Sequence, residues 1–272
     1  MIVDAHHHFW DPAATDYPWL TDELAPIRRA FGPADLEPAL RAHGVDATVL
    51  VQTRSSLEET EEFLALADRT PFVRGVVGWV DLADPSVVDT IAALRGRPDG
   101  AYLVGIRHQA HDEQDPDWLV RDDVIRGIQA VGRAGLVYDL LVRSRELPAA
   151  LAVAKRLPDV PFVIDHIAKP PIASAELEPW ASRIAPFREL EHVACKISGM
   201  VTEADWSTWT PADLQPYVDH VLEVFGPERL LFGSDWPVCL LASEYGDAIE
   251  LVGDDPDVLA RTAIRTYGLR VP

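Results

Sequence analysis

Cysteine, lysine and long apolar runs are all scarce in this chain. Two cysteines, Cys195 and Cys239, occur in 272 residues, too few for a disulfide framework, so reduced and buried thiols are expected. Lysine is nearly missing: three lysines stand beside 21 arginines, and these 24 basic side chains face 44 acidic ones for a net charge of −20. That balance excludes a nucleic-acid-binding surface, which needs cations to neutralise phosphates, and disfavours anionic membranes. Nowhere do 18 apolar residues follow one another, which excludes a membrane-spanning helix. No basic stretch followed by an apolar run opens the chain, so no signal peptide is expected and a cytoplasmic location is inferred. Repeats, low-complexity segments and linkers are also missing, and residues 1–272 are read as one domain.

What is present is a regular alternation. Eight short apolar runs, many of them β-branched, span 2–8, 47–52, 73–80, 102–107, 136–142, 160–166, 192–198 and 229–233. Helix signals separate most of them. Ser55-Ser56-Leu57-Glu58-Glu59 is a capping box opening a helix toward Arg69. Asp84-Pro85-Ser86 opens another that stops near Gly96, and 118–134 is helical in pattern up to Gly135. Thr210-Pro211-Ala212-Asp213 starts a helix ending at Gly226-Pro227, and helices over 242–252 and 256–267 close the chain. Strands alternating with helices pair in parallel through right-handed crossovers, and eight such units match an α/β fold of the (β/α)₈ TIM-barrel type. A doubly wound open sheet is the alternative. It would hold a nucleotide on a Gly-rich turn after its first strand, where this chain has His8-Phe9-Trp10-Asp11-Pro12. Residues 9–35 are too long for an ordinary strand-to-helix loop and are expected to form a partial lid.

A barrel collects its active site at the carboxyl ends of its strands. Polar residues crowd there. The first run ends in His6-His7-His8, the second in Gln52-Thr53-Arg54, the third near Trp79 and Asp81, and the fourth in Arg107-His108. The fifth carries Tyr138-Asp139, the sixth ends Asp165-His166, the seventh holds Lys196 and Ser198, and the eighth leads into Gly233-Ser234-Asp235-Trp236. Because side chains alternate along a strand, Asp4, His6 and His8 should share a face, as should Phe162, Ile164 and His166, and Leu231, Gly233 and Asp235. Lys196 and Ser198 should point inward, away from Val193, Cys195 and Ile197. On the fourth and fifth strands parity does not choose between Arg107 and His108, or between Tyr138 and Asp139. Each residue also has an ordinary structural role: a core histidine, a helix-capping Asp235, a structurally paired Arg107. A buried Lys196 needs a carboxylate or substrate oxygen. The convergence of so many ionisable groups at one end points to an enzyme.

Taken in order, these segments resemble the amidohydrolase superfamily, specifically amidohydrolase-related family 2. The segments are Asp4–Trp10 with Tyr17-Pro18-Trp19-Leu20, Gly105-Ile106-Arg107-His108, Asp165–Pro170, Cys195-Lys196-Ile197-Ser198-Gly199 and Phe232–Pro237. The resemblance is to the lactonase branch, which acts on sugar lactones such as L-fuconolactone and L-rhamnonolactone or on pyrone dicarboxylate lactones. It implies an amidohydrolase-like barrel and a small-molecule substrate. It also implies a set of His6, His8, His166 and Asp235 that works without metal or around at most one divalent ion, zinc being favoured by imidazole ligands. Binuclear relatives use a strand-four Lys or Glu and a strand-five His, and this chain has neither.

The expected reaction is hydrolysis of an aldonolactone. Asp235 would activate water and His6, His8 and His166 would polarise the carbonyl, while Arg107, His108, Trp236, Lys196 and Arg54 bind substrate. A 2-pyrone-4,6-dicarboxylate lactone should demand several arginines, and only Arg54 and Arg107 can be placed. A metal-dependent decarboxylase of the same superfamily and a non-catalytic sugar- or metal-binding barrel are the other readings. Oligomeric state is not encoded legibly.

Overall fold

The computed structural model describes residues 1–271. Eight strands form one sheet in sequential order, every neighbouring pair parallel. They are β1 (Val3–His7), β2 (Ala47–Val51), β3 (Val73–Gly78), β4 (Leu103–His108), β5 (Val137–Leu140), β6 (Phe162–Ile164), β7 (Val193–Ile197) and β8 (Leu230–Phe232). All eight expected runs are strands. The sheet closes between β8 and β1 through the segment after β8: Asp235 N donates to His6 O at 2.8 Å and His8 N to Trp236 O at 2.7 Å. The barrel is therefore sealed beside His6, His8 and Asp235, three of the candidate site residues.

Helices α1 (Pro33–His43), α2 (Leu57–Arg69), α3 (Val87–Arg95), α4 (Asp122–Arg133), α5 (Leu147–Arg156), α6 (Trp180–Ile184), α7 (Pro211–Phe225), α8 (Tyr245–Val252) and α9 (Thr262–Tyr267) cross between strands or follow β8. Where capping chemistry was legible it worked: the Ser56 side chain accepts from Glu59 N at the start of α2, and Gly135 adopts φ +70 after α4. Among the described residues no helix is long and apolar enough to cross a membrane.

Two apolar clusters divide the core. The larger lies between sheet and helices, with Leu50, Ile106, Tyr138, Phe162, Ile164 and Cys195 among its members. The smaller fills the barrel with Val3, Ala5, Val49, Val51, Val77, Val163, Ala194 and Leu231, and takes Ala263, Tyr267 and Leu269 from α9 and the residues after it. The interior is built of small residues, which leaves its upper half free for polar side chains.

The segment after β1 folds back on itself rather than hanging open. Trp10 and Phe31 exchange backbone hydrogen bonds (3.1 and 2.9 Å), and Trp10 Nε1 donates to Ile27 O at 3.1 Å. Phe9, Trp10, Trp19, Phe31 and Trp236 form an edge-to-face aromatic cluster around it. The segment ends at α1, which begins at Pro33, two residues before the loop boundary read from the sequence.

Candidate active site

At the carboxyl end of the barrel a hollow of about 270 Å³ is lined by His8, Arg107, His166, Asp235, Lys169 and Trp19, with Gln109, His111, Asp112 and Arg143 farther along its wall. Strand alternation alone does not build this arrangement. A register break between Asp4 and His7 interrupts β1. Asp4 faces the helices, accepting from Ser234 N at 2.9 Å, Ser234 Oγ at 2.6 Å and Tyr245 Oη at 2.9 Å. His6 and His8 instead face the barrel, their Nε2 atoms 3.1 Å apart, while His7 turns back out to Thr48 Oγ1 at 2.8 Å. The expected shared face of Asp4, His6 and His8 is thus split by the irregularity, which keeps the two outer histidines together and sends Asp4 elsewhere.

His166 departs from simple alternation in a second way. Phe162 and Ile164 belong to the helix-facing cluster and Val163 to the interior, so a straight continuation of β6 would aim His166 outward. Instead β6 stops at Ile164. His166, Ile167, Ala168 and Lys169 all take positive φ (53, 47, 61 and 48), as does Asp235 at 56. Such backbone is costly for residues with a Cβ. It is held by buried contacts, among them Trp180 Nε1 donating to Ile167 O at 2.6 Å. Gly199 is required beside it: a Cβ there would meet His166 Nδ1 at 2.5 Å. His166 Nδ1 lies 2.9 Å from Ser198 Oγ, which leaves Nε2 free toward the hollow.

The three imidazoles surround one carboxylate. Asp235 Oδ1 is 3.4 Å from His8 Nε2, 3.8 Å from His6 Nε2 and 3.9 Å from His166 Nε2. Burial on its own would raise the Asp235 pKa, but His166, His8 and His6 outweigh it and hold the carboxyl well below the usual range. Burial pushes His166 down to about 4. His6 is also lowered, by burial first and then by Lys196, against the pull of Asp165. At neutral pH the site therefore holds an ionised aspartate among uncharged His6 and His166.

Under this layer lies a buried ionic network. Lys196 Nζ contacts Asp139 Oδ2 at 2.6 Å, Asp165 Oδ1 at 2.9 Å and His6 Nδ1 at 3.3 Å. Arg107 Nη1 contacts Asp165 Oδ2 at 2.9 Å and His6 Nε2 at 3.2 Å, and its other nitrogens donate to Gln52. The structure thereby resolves both open parities: Arg107 and Asp139 point inward, while Tyr138 packs on Phe162 and His108 faces the loop beyond β4. Burial raises Asp139 to about 6 against Lys196 and Tyr267. For Asp165 burial is overcome by Lys196, His6 and Arg107, which hold it far below the usual carboxylate range.

The other residues named from the sequence lie farther out. His108 Nδ1 accepts from Trp79 Nε1 at 3.0 Å, its Nε2 meets Glu113 Oε1 at 2.8 Å, and its ring stacks on Trp118 at 4.2 Å. With both nitrogens engaged it braces the loop that carries Gln109, His111 and Asp112. Arg54 pairs with Glu59 at 3.4 Å and sits over the Tyr17 ring. Trp236 packs between Phe9 and Phe31 and does not line the hollow. Sequence reasoning had Gln52 and Asp165 at strand ends without a role. It missed Gln109, His111, Asp112 and Arg143, whose only signal was that they follow β4 and β5.

The donors fit one divalent ion. A tetrahedral zinc with bonds of about 2.0–2.1 Å needs ligand atoms roughly 3.3 Å apart, and the His6, His8 and Asp235 atoms are 3.1, 3.4 and 3.8 Å apart. A second set, His6, Asp165 and His166, shares His6 with the first, and its Asp165 is already held by Arg107 and Lys196. The inward-pointing ionisable side chain of β4 is Arg107, a cation, so β4 offers no anion to bridge two metals.

A closed parallel barrel with a His-x-His pair on its first strand, a histidine after its sixth and an aspartate after its eighth defines an amidohydrolase-type enzyme scaffold. The family model described as Amidohydrolase matches residues 3–269, and the chain belongs to that family. It is 44% identical over 248 residues to an L-fucono-1,5-lactonase of Burkholderia ambifaria, covering 90% of this chain and 83% of that protein. To an L-fucono-1,5-lactonase of Burkholderia multivorans it is 38% identical over 262 residues, 93% of this chain and 87% of the relative. A crystal structure of a Burkholderia multivorans amidohydrolase with bound zinc superposes with a TM-score of 0.92 at 36% identity, over 99% of this chain and 100% of that one.

Proposed function

We propose that this chain hydrolyses a sugar lactone of the L-fucono-1,5-lactone class to the aldonic acid. The observation that carries the reading is Asp235 Oδ1 lying 3.4–3.9 Å from three imidazole Nε2 atoms, with Asp235, His8 and His166 lining the hollow. The lactonase relatives, matched over most of their length, support the substrate class.

A lactone is an activated ester, so the site has three tasks. Asp235, ionised at neutral pH, takes the proton of a water as its oxygen adds to the lactone carbonyl carbon. His166 and the His6–His8 pair face the oxygen on which negative charge develops. When the tetrahedral intermediate collapses, the ring C–O bond breaks and the proton on Asp235 passes to the leaving oxygen. The acid product ionises and one proton enters solvent. A divalent ion on His6, His8 and Asp235, with His166 as a further donor, would supply Lewis-acid polarisation of the carbonyl when bound. Trp19 of the segment after β1 forms part of the wall, which supports the lid role for residues 9–35.

The test is a pH-stat screen of aldono-1,4- and 1,5-lactones with and without chelator. Saturable proton release with L-fucono-1,5-lactone is expected. Proton uptake with an aromatic carboxylate, and none released with any aldonolactone, would favour the decarboxylase instead.

A further inference from the structure

A second polar hollow opens at the opposite end of the barrel, among the amino ends of β3, β4 and β5. Its volume is about 420 Å³, and its polar lining comes from Arg74, Arg95, Arg270, Tyr102 and Tyr267. Arg74 follows the first residue of β3, Arg95 ends α3, and Arg270 lies just past α9. No acidic residue lines it, although the chain has 44 acidic side chains and a net charge of −20.

Among the described residues, eleven of the 18 arginines outside this hollow meet a carboxylate within 4.0 Å, Arg54, Arg97 and Arg107 among them, and Arg229 donates to backbone carbonyls instead. Among the described residues the three arginines of this hollow form no ion pair. Arg95 Nη1 donates to Leu103 O at 3.0 Å, while Arg74 Nε is buried with no hydrogen-bond partner at all. A buried donor left unmade costs free energy, and the exposed Arg95 and Arg270 add positive charge to the lining of the same hollow. One kind of occupant answers both features, an oxyanion, whose oxygens match the planar fork of arginine.

We propose that this hollow is a binding site for a small oxyanion, a phosphate or a compact carboxylate, separate from the lactone site at the other end of the barrel. The site touches the catalytic half through one residue. The Tyr267 ring lines the hollow and its hydroxyl donates to Asp139 Oδ2 at 2.7 Å, the same oxygen that Lys196 contacts. An occupant would therefore rest against the side chain that anchors the buried network.

The experiment is isothermal titration of the full chain, in a zwitterionic buffer at low salt, with inorganic phosphate, sulfate and gluconate as three separate arms. Arg74→Gln and Arg270→Gln are the variants, and Arg41→Gln on α1 is the charge-matched control. Saturable binding of at least one anion is expected, weakened about tenfold or more in each hollow variant and unchanged in the control. Arg270→Gln, on the surface and remote from the lactone site, should keep wild-type hydrolysis. Phosphate or sulfate binding without gluconate would identify an inorganic oxyanion, and the reverse a carboxylate. Absence of saturable binding in all three arms, or binding indifferent to both hollow substitutions, overturns the proposal.

Discussion

Lys196 Nζ lies 3.3 Å from His6 Nδ1, which ties the buried ionic network to the histidines of the candidate site. An ammonium can only donate, so this geometry makes Nδ1 the accepting nitrogen of the neutral ring. The other ring nitrogen, Nε2, faces a second obligate donor, Arg107 Nη1 at 3.2 Å, and lies 3.1 Å from His8 Nε2. His8 Nδ1 faces the Val51 carbonyl at 2.8 Å, and because a carbonyl only accepts, the His8 proton sits on Nδ1 and its Nε2 is an acceptor. Two cations, Lys196 and Arg107, thus face the two nitrogens of the His6 ring.

Removing the cation should expose what it balances. Lys196→Met leaves Asp139 and Asp165 facing each other without their shared ammonium. A loss of about 3–5 kcal/mol in urea unfolding is expected, as for other broken buried pairs. Adding Asp139→Asn removes the excess charge and should recover a large part of that loss. Additive effects of the two substitutions would show that the network is not energetically coupled.

Metal loading should stop at one ion per chain. The two donor sets share His6, and Asp165 is engaged by Arg107 and Lys196. Equilibrium dialysis against zinc followed by elemental analysis should give no more than one equivalent, and His8→Asn should lower the affinity by tenfold or more (about 1.4 kcal/mol). Two equivalents retained through gel filtration would contradict the single-ion geometry.

Acid should destabilise the metal-free protein through its buried histidines, partly offset by Asp139, whose carboxyl, raised to about 6, takes up a proton in the folded state first. Unfolded His166 takes up a proton near 6.5 and the folded residue only near 4. Between those values the unfolded state binds more protons, so stability is complete above pH 6.5 and falls as the pH drops toward 4. The shift corresponds to roughly 3 kcal/mol for His166 alone. His7, held at about 3 by burial and by His8, adds a loss in the same direction. Melting temperatures recorded with chelator from pH 7.5 to 4 should fall through this window. For His166→Asn the fall should be shallower, and an unchanged slope would remove His166 from the account.

Most of the fold was legible because strand and helix signals are local. All eight apolar runs are strands, and the capping residues at α2 and α7 act where they were read. Helices α1, α5 and α6 were not singled out, although Gly32-Pro33-Ala34-Asp35 carries a capping pattern like that at α7. The site was legible as composition and less so as geometry. Alternation would have put Asp4 beside His6 and aimed His166 at the helices. A β1 irregularity and a left-handed turn, neither visible in periodicity, give the observed arrangement. The cavity wall after β4 and β5 was missed for a related reason: loop residues take their direction from tertiary contacts such as the His108–Trp118 stack.

The most direct test of the whole account is the initial rate of proton release from L-fucono-1,5-lactone by the wild type and by Asp235→Asn, corrected for spontaneous opening and compared at equal circular dichroism. The account predicts saturable wild-type turnover and a loss of about 10²–10⁴-fold or more in the variant, the range expected on removing a general base. Hydrolysis by Asp235→Asn within a few-fold of wild type would contradict it.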